Sequence, residues 1–447
     1  MGARTKIVVA TLVVFGIGWP VVALGPDDGI DRPVTAVRQA VRVSPAVTDV
    51  VTVFNSGELR NEVANQVVAA ARSAGASLAF GRSASVGMTG LYRGASAVQL
   101  PPQGFAFPMG TTVLPTEAVA QTMGVDVAQF LAPDALVMGA LSAGLRGAQA
   151  GDTALLTSGS GATVTFRIAA VLPASRVGGA EFLMSNEAAD RLGIVRLSRV
   201  VMWGFPSRAA IDAAVSANGL VSTSVRIRRS WDPADPDGTI GMSETKATLG
   251  EFAYRVNANG SVSQDDAWLN ASLPGGRELL NGSIPVRARC HNVIVPALRA
   301  ALAEVAAERL AATIDVANAN SFGGCHNARF NRLTPDSSLG FLSRHSWAMA
   351  FDTNTLGSCL GCAPPDFATR PGGCRTVQIF RKHGFSWGGN YLTPDGMHFE
   401  WVGERRDNLA YPSRFCPNVA MGALTLENTE VGQSRLYQDD GLFAGQH

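Results

Sequence analysis

The segment "SRHSWAMAFDTNT", from Ser343 to Thr355, decides how the last third of this 447-residue chain is interpreted. It places one of only six histidines, His345, seven residues before Asp352, among small and apolar residues. A helix would bring two residues at this spacing to one face, whereas a regular strand would point them to opposite faces. If both side chains share an ion, the segment must contain a helix or a bend. Ordinary buried residues with satisfied hydrogen bonds are the alternative.

A second polar group follows in "WGGNYLTPDGMHFEWV", from Trp387 to Val402. The Pro-Asp-Gly triplet around Asp395 is typical of a turn, and "MHFEWV" predicts a strand. With a period of two, His398 and Glu400 share one face, and the aromatic residues between and after them share the other. We expect the aromatic face to meet the core and the polar face to line a cleft, with Asp395 close to both.

These residues predict a hydrolytic zinc centre. His345, Asp352 and His398 supply three ligands of the types that zinc prefers, which leaves a fourth position for water. Zinc lowers the pKa of water, and a nearby carboxylate such as Asp395 can transfer a proton to the leaving amine. Each residue also has a simpler interpretation: a structural histidine, a turn aspartate, or, for Glu400, a solvated strand face. Glu400 is also the alternative base.

Composition excludes some classes of protein. The net charge is +1 and no run of Lys and Arg is present, so nucleic acid is not an expected partner. Arg4 and Lys6 precede an apolar stretch from Ile7 to Gly25, which predicts a signal peptide or a membrane anchor in residues 1–25. We therefore expect an extracytoplasmic protein of the cell envelope, either membrane-anchored or secreted.

Every cysteine and every histidine lies at or after position 290. An even number of cysteines in an exported chain favours disulfides, and the single pair Cys359 and Cys362 is a weaker candidate for metal binding. The fifteen possible pairings cannot be told apart from sequence. Because residues 26–230 lack both residue types, we expect no catalysis there.

Hydrophobic patterning predicts the fold of the N-terminal region. Residues 26–230 form an extracytoplasmic α+β domain, in which Gly151–Pro173 is a strand pair and Ser185 caps a helix that ends at Gly193. Part of this region loosely resembles the extracytoplasmic domain of some ABC-type permease subunits, which implies a protein partner. The segment Ser230–Thr239 is rich in Pro, Asp and Gly and is the linker candidate within a lead-in at 231–284. A C-terminal domain at 285–425, which contains both motifs, and a tail at 426–447 complete the predicted organisation.

The two motifs together resemble the M15 family of zinc D-alanyl-D-alanine carboxypeptidases and peptidoglycan endopeptidases, in particular its VanY-like and phage endolysin branch. Ser343, His345, Ala350 and Asp352 match the family pattern S-x-H-x-x-G-x-A-x-D, and the Trp-Gly-Gly at 387–389 with Asp395 and His398 matches its second motif. The resemblance covers about positions 285–403. It departs from the family at Ala348, where the pattern has glycine.

The resemblance implies a small antiparallel-sheet domain that binds Zn²⁺ through His345, Asp352 and His398, with Asp395 as general acid and base. It also implies an arginine upstream of the first motif; of Arg329 and Arg332, position favours Arg329 as the catalytic one. The predicted function is zinc-dependent hydrolysis of peptide bonds in bacterial peptidoglycan stem peptides. The alternative is a non-catalytic, zinc-containing module that binds the cell wall.

Overall fold

The N-terminal half of the described chain is built on a ten-stranded sheet. The structure is a computed structural model, and it describes residues 49–55, 57–221, 225–275, 278–280, 282–284, 286–314, 324–331, 339–353, 363–366, 368–409, 411 and 413–418. The predicted signal or anchor segment, Arg332, Cys359, Cys362 and the tail lie outside these residues. Within them, no helix is both long and apolar enough to cross a membrane.

Helices lie between some of the ten strands. The strands are β1 Val50–Asn55, β2 Ser77–Arg93, β3 Ser96–Gln99, β4 Phe107–Val113, β5 Ala135–Gly139, β6 Thr153–Thr157, β7 Thr163–Leu172, β8 Phe182–Met184, β9 Leu197–Trp203 and β10 Val225–Arg229. The helices are α1 Asn61–Ala74, α2 Thr116–Thr122, α3 Val125–Ala128, α4 Ala140–Arg146, α5 Asn186–Leu192 and α6 Arg208–Ala217.

The long strand β2 organises this sheet. The strand order is β10-β1-β9-β2-β4-β8-β5-β7-β6, with β3 on β2, and a further pairing of β2 with β6 closes six strands into a ring. Most pairings are antiparallel, while β4–β8 and β5–β7 are parallel. The predicted strand pair in Gly151–Pro173 is confirmed as β6 and β7. The predicted short helix is confirmed as α5, because Ser185 accepts a hydrogen bond from the Ala188 N–H and Gly193 adopts a φ of 74°.

The Pro/Asp-rich segment between Ser230 and Thr239 is largely buried. The Asp237 carboxylate accepts hydrogen bonds from the Arg381 guanidinium, from the Trp387 N–H and from the Asn390 side chain. The candidate linker thus contacts the elements that carry the second motif. A buried carboxylate needs such partners, since an unpaired one would be costly to desolvate.

The remaining elements form the C-terminal half. The strands are β11 Tyr254–Val256, β12 Val262–Gln264, β13 Glu278–Leu279, β14 Arg287–Ala288, β15 Ala350–Asp352, β16 Phe385–Trp387 and β17 His398–Trp401. The helices are α7 Met242–Leu249, α8 Asp266–Ser272, α9 Val295–Ala307 and α10 Pro371–Lys382. Short 3-10 helices lie at Arg344–Trp347 and Gly388–Asn390.

A small antiparallel sheet in the order β15-β17-β16 carries both motifs, as predicted. Helix α10 packs on it through Phe380, whose ring lies 4.2 Å from that of Phe399 and 5.8 Å from that of Phe351, measured between centroids. All three rings are fully buried. Burial of each is worth about 1.5–3 kcal/mol, so this aromatic layer holds the sheet against the helix.

Disulfides in the C-terminal half are confirmed. Cys290 is bonded to Cys325, and Cys374 is bonded to Cys416. The first bond ties the segment before α9 to the segment before the first motif, and the second ties α10 to the end of the described chain. Both therefore restrain long loops around the small sheet.

Candidate metal centre

The first motif folds as a turn followed by a strand, which supplies the predicted bend. Ser343 caps the 3-10 helix Arg344–Trp347, and its hydroxyl accepts a hydrogen bond from the His345 N–H at 3.3 Å. Ala348 then reverses the chain before β15 begins at Ala350. His345 and Asp352 can therefore face each other despite their odd spacing.

Ala348 occupies the position that is glycine in the family pattern, and its backbone explains that preference. Its φ of 52° and ψ of 27° lie in the left-handed region, which costs a residue with a Cβ roughly 1–2 kcal/mol. The Ala348 N–H donates to the His345 carbonyl at 3.0 Å, and the residue is fully buried. Alanine thus keeps the turn conformation at a small conformational cost.

Strand pairing brings the other two predicted ligands together. Asp352 on β15 lies directly opposite His398 on β17. One Asp352 oxygen, Oδ1, lies 2.9 Å from His398 Nδ1, and the other, Oδ2, lies 3.3 Å from His345 Nε2. Ligand atoms of all three residues lie within 4.8 Å of one another. Two imidazoles and one carboxylate at this separation match the donor set of a three-ligand metal site.

The outer nitrogen of each histidine has a hydrogen-bond partner that fixes the ring. His345 Nδ1 lies 2.9 Å from the carbonyl oxygen of Cys325, so it carries the proton and leaves Nε2 as the ligand atom. His398 Nε2 lies 3.2 Å from Glu400 Oε1, which leaves Nδ1 as the ligand atom. Such second partners are a regular feature of metal-binding histidines. The residues present therefore fit a metal ion.

Glu400 is part of this support and does not line a cleft. We expected it to face a cleft with His398; the strand periodicity is as predicted, but Glu400 is fully buried. Its Oε2 lies 3.6 Å from Nε of Arg344, which in turn donates to Thr245 Oγ1 at 2.8 Å and to the Ile240 carbonyl at 2.6 Å. Arg344 thus lies against Glu400 and is itself held by Ile240 and by Thr245 of α7, so Glu400 does not face a cleft as predicted.

Electrostatics around the site favour a charged carboxylate. Burial alone would raise the pKa of Asp352, but the charge of His345 and hydrogen bonds with His345 and His398 hold it well below its ordinary value. Burial alone would lower the pKa of His398, but hydrogen bonds to Asp352 and Glu400 raise it to about 9. A metal ion binds only the neutral imidazole, so its binding at His398 releases a proton at neutral pH.

Asp395 lies in the predicted turn just before β17 and is fully buried. Its N–H donates to the Gly388 carbonyl at 2.9 Å, and its carbonyl accepts from the His398 N–H at 3.2 Å. A Cβ on Gly388 would lie 2.6 Å from the Asp395 carbonyl oxygen and 3.2 Å from the His398 Cβ. Glycine in the Trp-Gly-Gly motif therefore allows the turn to approach the ligand strand.

Arg329 lies beside the first motif. Its N–H donates to Ser346 Oγ at 3.2 Å, and its carbonyl accepts from the Ser343 N–H at 2.9 Å. Its half-buried guanidinium donates to the Phe330 carbonyl at 3.4 Å. The backbone around Arg329 therefore supports the turn that presents His345.

Several supporting residues carry no signal in the sequence. Gln264 on β12 donates to the Ser346 carbonyl at 2.8 Å, and its Oε1 lies 2.7 Å from Nε2 of His326. Burial, together with the charges of Arg289 and His345, lowers the pKa of His326 to about 4, so this ring is neutral. Arg344 is adjacent to His345 in the motif, which is the only local hint of its role.

The small antiparallel sheet and the turn before it thus present a His-Asp-His group with the donor set of a three-ligand metal site. Residues 337–401 match the family model described as D-alanyl-D-alanine carboxypeptidase, peptidase family M15. The resemblance of the C-terminal region to this family is therefore confirmed, and it supports a carboxypeptidase-like peptidase there. No curated protein shows significant similarity to the chain.

Proposed function

We propose that this protein is a zinc metallopeptidase that hydrolyses peptide bonds in bacterial peptidoglycan stem peptides, as a carboxypeptidase or an endopeptidase. The observation that carries the proposal is the convergence of His345, Asp352 and His398 within 4.8 Å, in a segment that matches the carboxypeptidase family model. M15 peptidases are generally zinc-dependent, and the donor set suits that ion.

The residues divide the chemistry between them. A bound zinc ion would polarise the scissile carbonyl and make water a better nucleophile. His345, Asp352 and His398 would hold that ion, with the Cys325 carbonyl and Glu400 orienting the two rings. Asp395 would accept a proton from the attacking water and donate it to the leaving amine. Arg329 would stabilise the developing oxyanion or bind a substrate carboxylate.

We also propose an extracytoplasmic location in the cell envelope. The basic and apolar N-terminal stretch supports it, as do the two disulfides, which persist in oxidising compartments. The N-terminal region would position the enzyme through a protein partner or the membrane.

Digestion of purified muropeptides by the full chain tests the function. Mass spectrometry should detect cleaved stem peptides, cleavage should stop with a chelator, and added zinc should restore it. Asp395→Asn should keep its zinc and hydrolyse about 10²–10⁴-fold more slowly. Asp266→Asn, an exposed carboxylate at the start of α8, is the control and should match wild type.

A non-catalytic wall-binding module is the second candidate, because a supported metal centre can stabilise a fold without turnover. In that case wild type and Asp395→Asn would yield no product and bind muropeptides with equal affinity. Hydrolysis that persists in fully zinc-free protein would contradict both proposals.

A further inference from the structure

The tripeptide Cys-His-Asn occurs twice in the chain, at positions 290–292 and 325–327. The disulfide between Cys290 and Cys325 joins the two copies, and both cysteines are buried. We call the two joined copies the Cys-His-Asn clamp. The candidate metal centre described above uses one atom of this clamp, the Cys325 carbonyl oxygen, although further atoms of it contact the same turn.

The second copy of the tripeptide holds His345 at two points. The Cys325 carbonyl accepts a hydrogen bond from His345 Nδ1 at 2.9 Å, and the Asn327 N–H donates to the His345 carbonyl at 3.0 Å. One bond fixes the imidazole, and the other fixes the backbone that carries it. A displacement of this copy would therefore also displace Nε2, the ligand nitrogen of His345.

The first copy holds the end of the same turn. The His291 N–H donates to the Ala348 carbonyl at 3.1 Å. Ala348 has the left-handed conformation, which is unfavourable for a residue with a Cβ, so a bond to its carbonyl helps to hold the turn. His291 is itself fixed, because its Nε2 lies 2.9 Å from the carbonyl oxygen of Leu249.

A side chain held by the clamp fixes a third carbonyl of the turn. Gln264 donates to the Ser346 carbonyl at 2.8 Å, and its Oε1 lies 2.7 Å from Nε2 of His326 in the second copy. Gln264 and Ser346 are both buried. Because a buried carbonyl without a partner is costly to desolvate, the bonds to residues 345, 346 and 348 favour one conformation of the turn.

We propose that the Cys290–Cys325 disulfide is a positioning element of the metal centre. It fixes the two tripeptides relative to each other, and they in turn orient His345 for zinc. Cys290 and Cys325 are thus positioning residues, which act through the backbone that contacts the ligand. This inference rests on the proposed function, because it takes His345 as a zinc ligand.

The second disulfide provides a matched control. It joins residues that are 42 apart in sequence, compared with 35 for the first, so removal of either bond should cost a similar amount of stability. The Cys416 carbonyl accepts from Arg381, and the Cys374 N–H donates to the Arg370 carbonyl. Neither cysteine has a hydrogen bond to a candidate ligand within the part of the chain that the structure describes.

The zinc affinity of the full-length protein tests the proposal. Competition with a chromophoric chelator would compare wild type with two double variants, Cys290→Ala with Cys325→Ala and Cys374→Ala with Cys416→Ala. Loss of an interaction that orients a ligand typically lowers metal affinity 10–100-fold. Because the Cys325 carbonyl itself remains, we expect about tenfold weaker zinc binding in the first variant. The second variant should bind zinc as wild type does.

Amide hydrogen exchange in the zinc-free protein gives a second measurement. The N–H groups of His291 and Asn327 both donate to carbonyls of the turn. Both should exchange faster in the variant that lacks Cys290 and Cys325 than in the control variant, because the turn can then open locally. A disulfide that only stabilises the fold would change the two variants to the same extent.

Gln264→Met keeps the disulfide and removes the bond to the Ser346 carbonyl. It should also weaken zinc binding, by a smaller factor than removal of the disulfide, because the bonds to His345 and Ala348 remain. This variant decides the question if the protein without Cys290 and Cys325 does not fold.

Equal zinc affinities in the two double variants, or an unchanged affinity in Gln264→Met, would overturn the proposal. A wild-type protein that binds no zinc would refute the proposed function, and the exchange rates of His291 and Asn327 would still decide whether the disulfide holds the turn. Zinc binding that depends on this disulfide, in a protein that hydrolyses no muropeptide, would refute the peptidase proposal alone.

Discussion

Replacement of Glu400 by glutamine separates a residue that positions a ligand from one that takes part in catalysis. Glu400 Oε1 lies 3.2 Å from His398 Nε2, and Oε2 lies 3.6 Å from Nε of Arg344. Glutamine has nearly the same shape and can still accept the His398 N–H through its amide oxygen. It loses the negative charge that makes the imidazole a better ligand and that balances Arg344.

The expected size of the effect follows from this arrangement. Loss of an outer-shell partner typically lowers metal affinity 10–100-fold, which corresponds to about 1.4–2.7 kcal/mol of binding free energy. Because glutamine retains the hydrogen bond from His398, we expect Glu400→Gln to weaken zinc affinity by about tenfold, at the lower end of this range. At saturating zinc, kcat should remain within about threefold of wild type, since Asp395, and not Glu400, is the proposed base.

Competition with a chromophoric chelator measures the zinc affinity, and hydrolysis of a stem peptide over a zinc titration measures kcat. Glu308→Gln is the control, because Glu308 pairs with Arg375 at the protein surface, and it should change neither quantity. A Glu400→Gln enzyme that binds zinc normally and fails to hydrolyse at saturating zinc would show that Glu400 is the base.

Three further results are expected. Zinc affinity should fall about tenfold for each pH unit below pH 9, because His398, whose pKa is raised to about 9, must lose a proton to bind metal. Direct titration with zinc at several pH values measures this dependence, and an affinity that does not change between pH 7 and 9 would contradict it. Gly388→Ala should lower the free energy of unfolding, measured in urea, by about 1–3 kcal/mol and should reduce kcat, because the new Cβ would lie 2.6 Å from the Asp395 carbonyl oxygen. An unchanged free energy of unfolding would mean that the turn can shift freely. Replacing both Cys290 and Cys325 by alanine should lower the free energy of unfolding in urea by about 3–4 kcal/mol, as expected for a cross-link between residues 35 apart. An unchanged free energy of unfolding would argue against this disulfide.

The contacts around the metal centre extend well beyond the segment that matches the family model. Arg344 donates to Thr245 and Ile240, and Arg381 pairs with Asp237. Lys246, the residue after Thr245, is fully buried and bonds to Glu181 next to the ten-stranded sheet. Breaking a buried pair by removing one partner commonly costs 3–5 kcal/mol, so changes in this region should reach the site through stability.

Local patterns were enough to predict several elements and the ligand types. The period of two in "MHFEWV" predicted strand β17, and Ser185 with Gly193 predicted the ends of α5, because side-chain alternation and helix capping depend on neighbours in sequence. The two motifs also identified the residues that come together at the candidate metal centre, since a histidine or an aspartate carries its ligand chemistry wherever it lies.

Only the tertiary structure decided how these residues are arranged. Strand register sets Asp352 opposite His398, the Cys325 carbonyl selects the ligand nitrogen of His345, and Arg344, which is held by Ile240 and Thr245, lies against the buried Glu400. The tertiary structure alone also shows that the β2–β6 pairing closes the ring of strands and that Asp237 in the Pro/Asp-rich segment is buried. Each of these features joins residues far apart in the chain, so its free energy depends on desolvation and packing that no local pattern encodes.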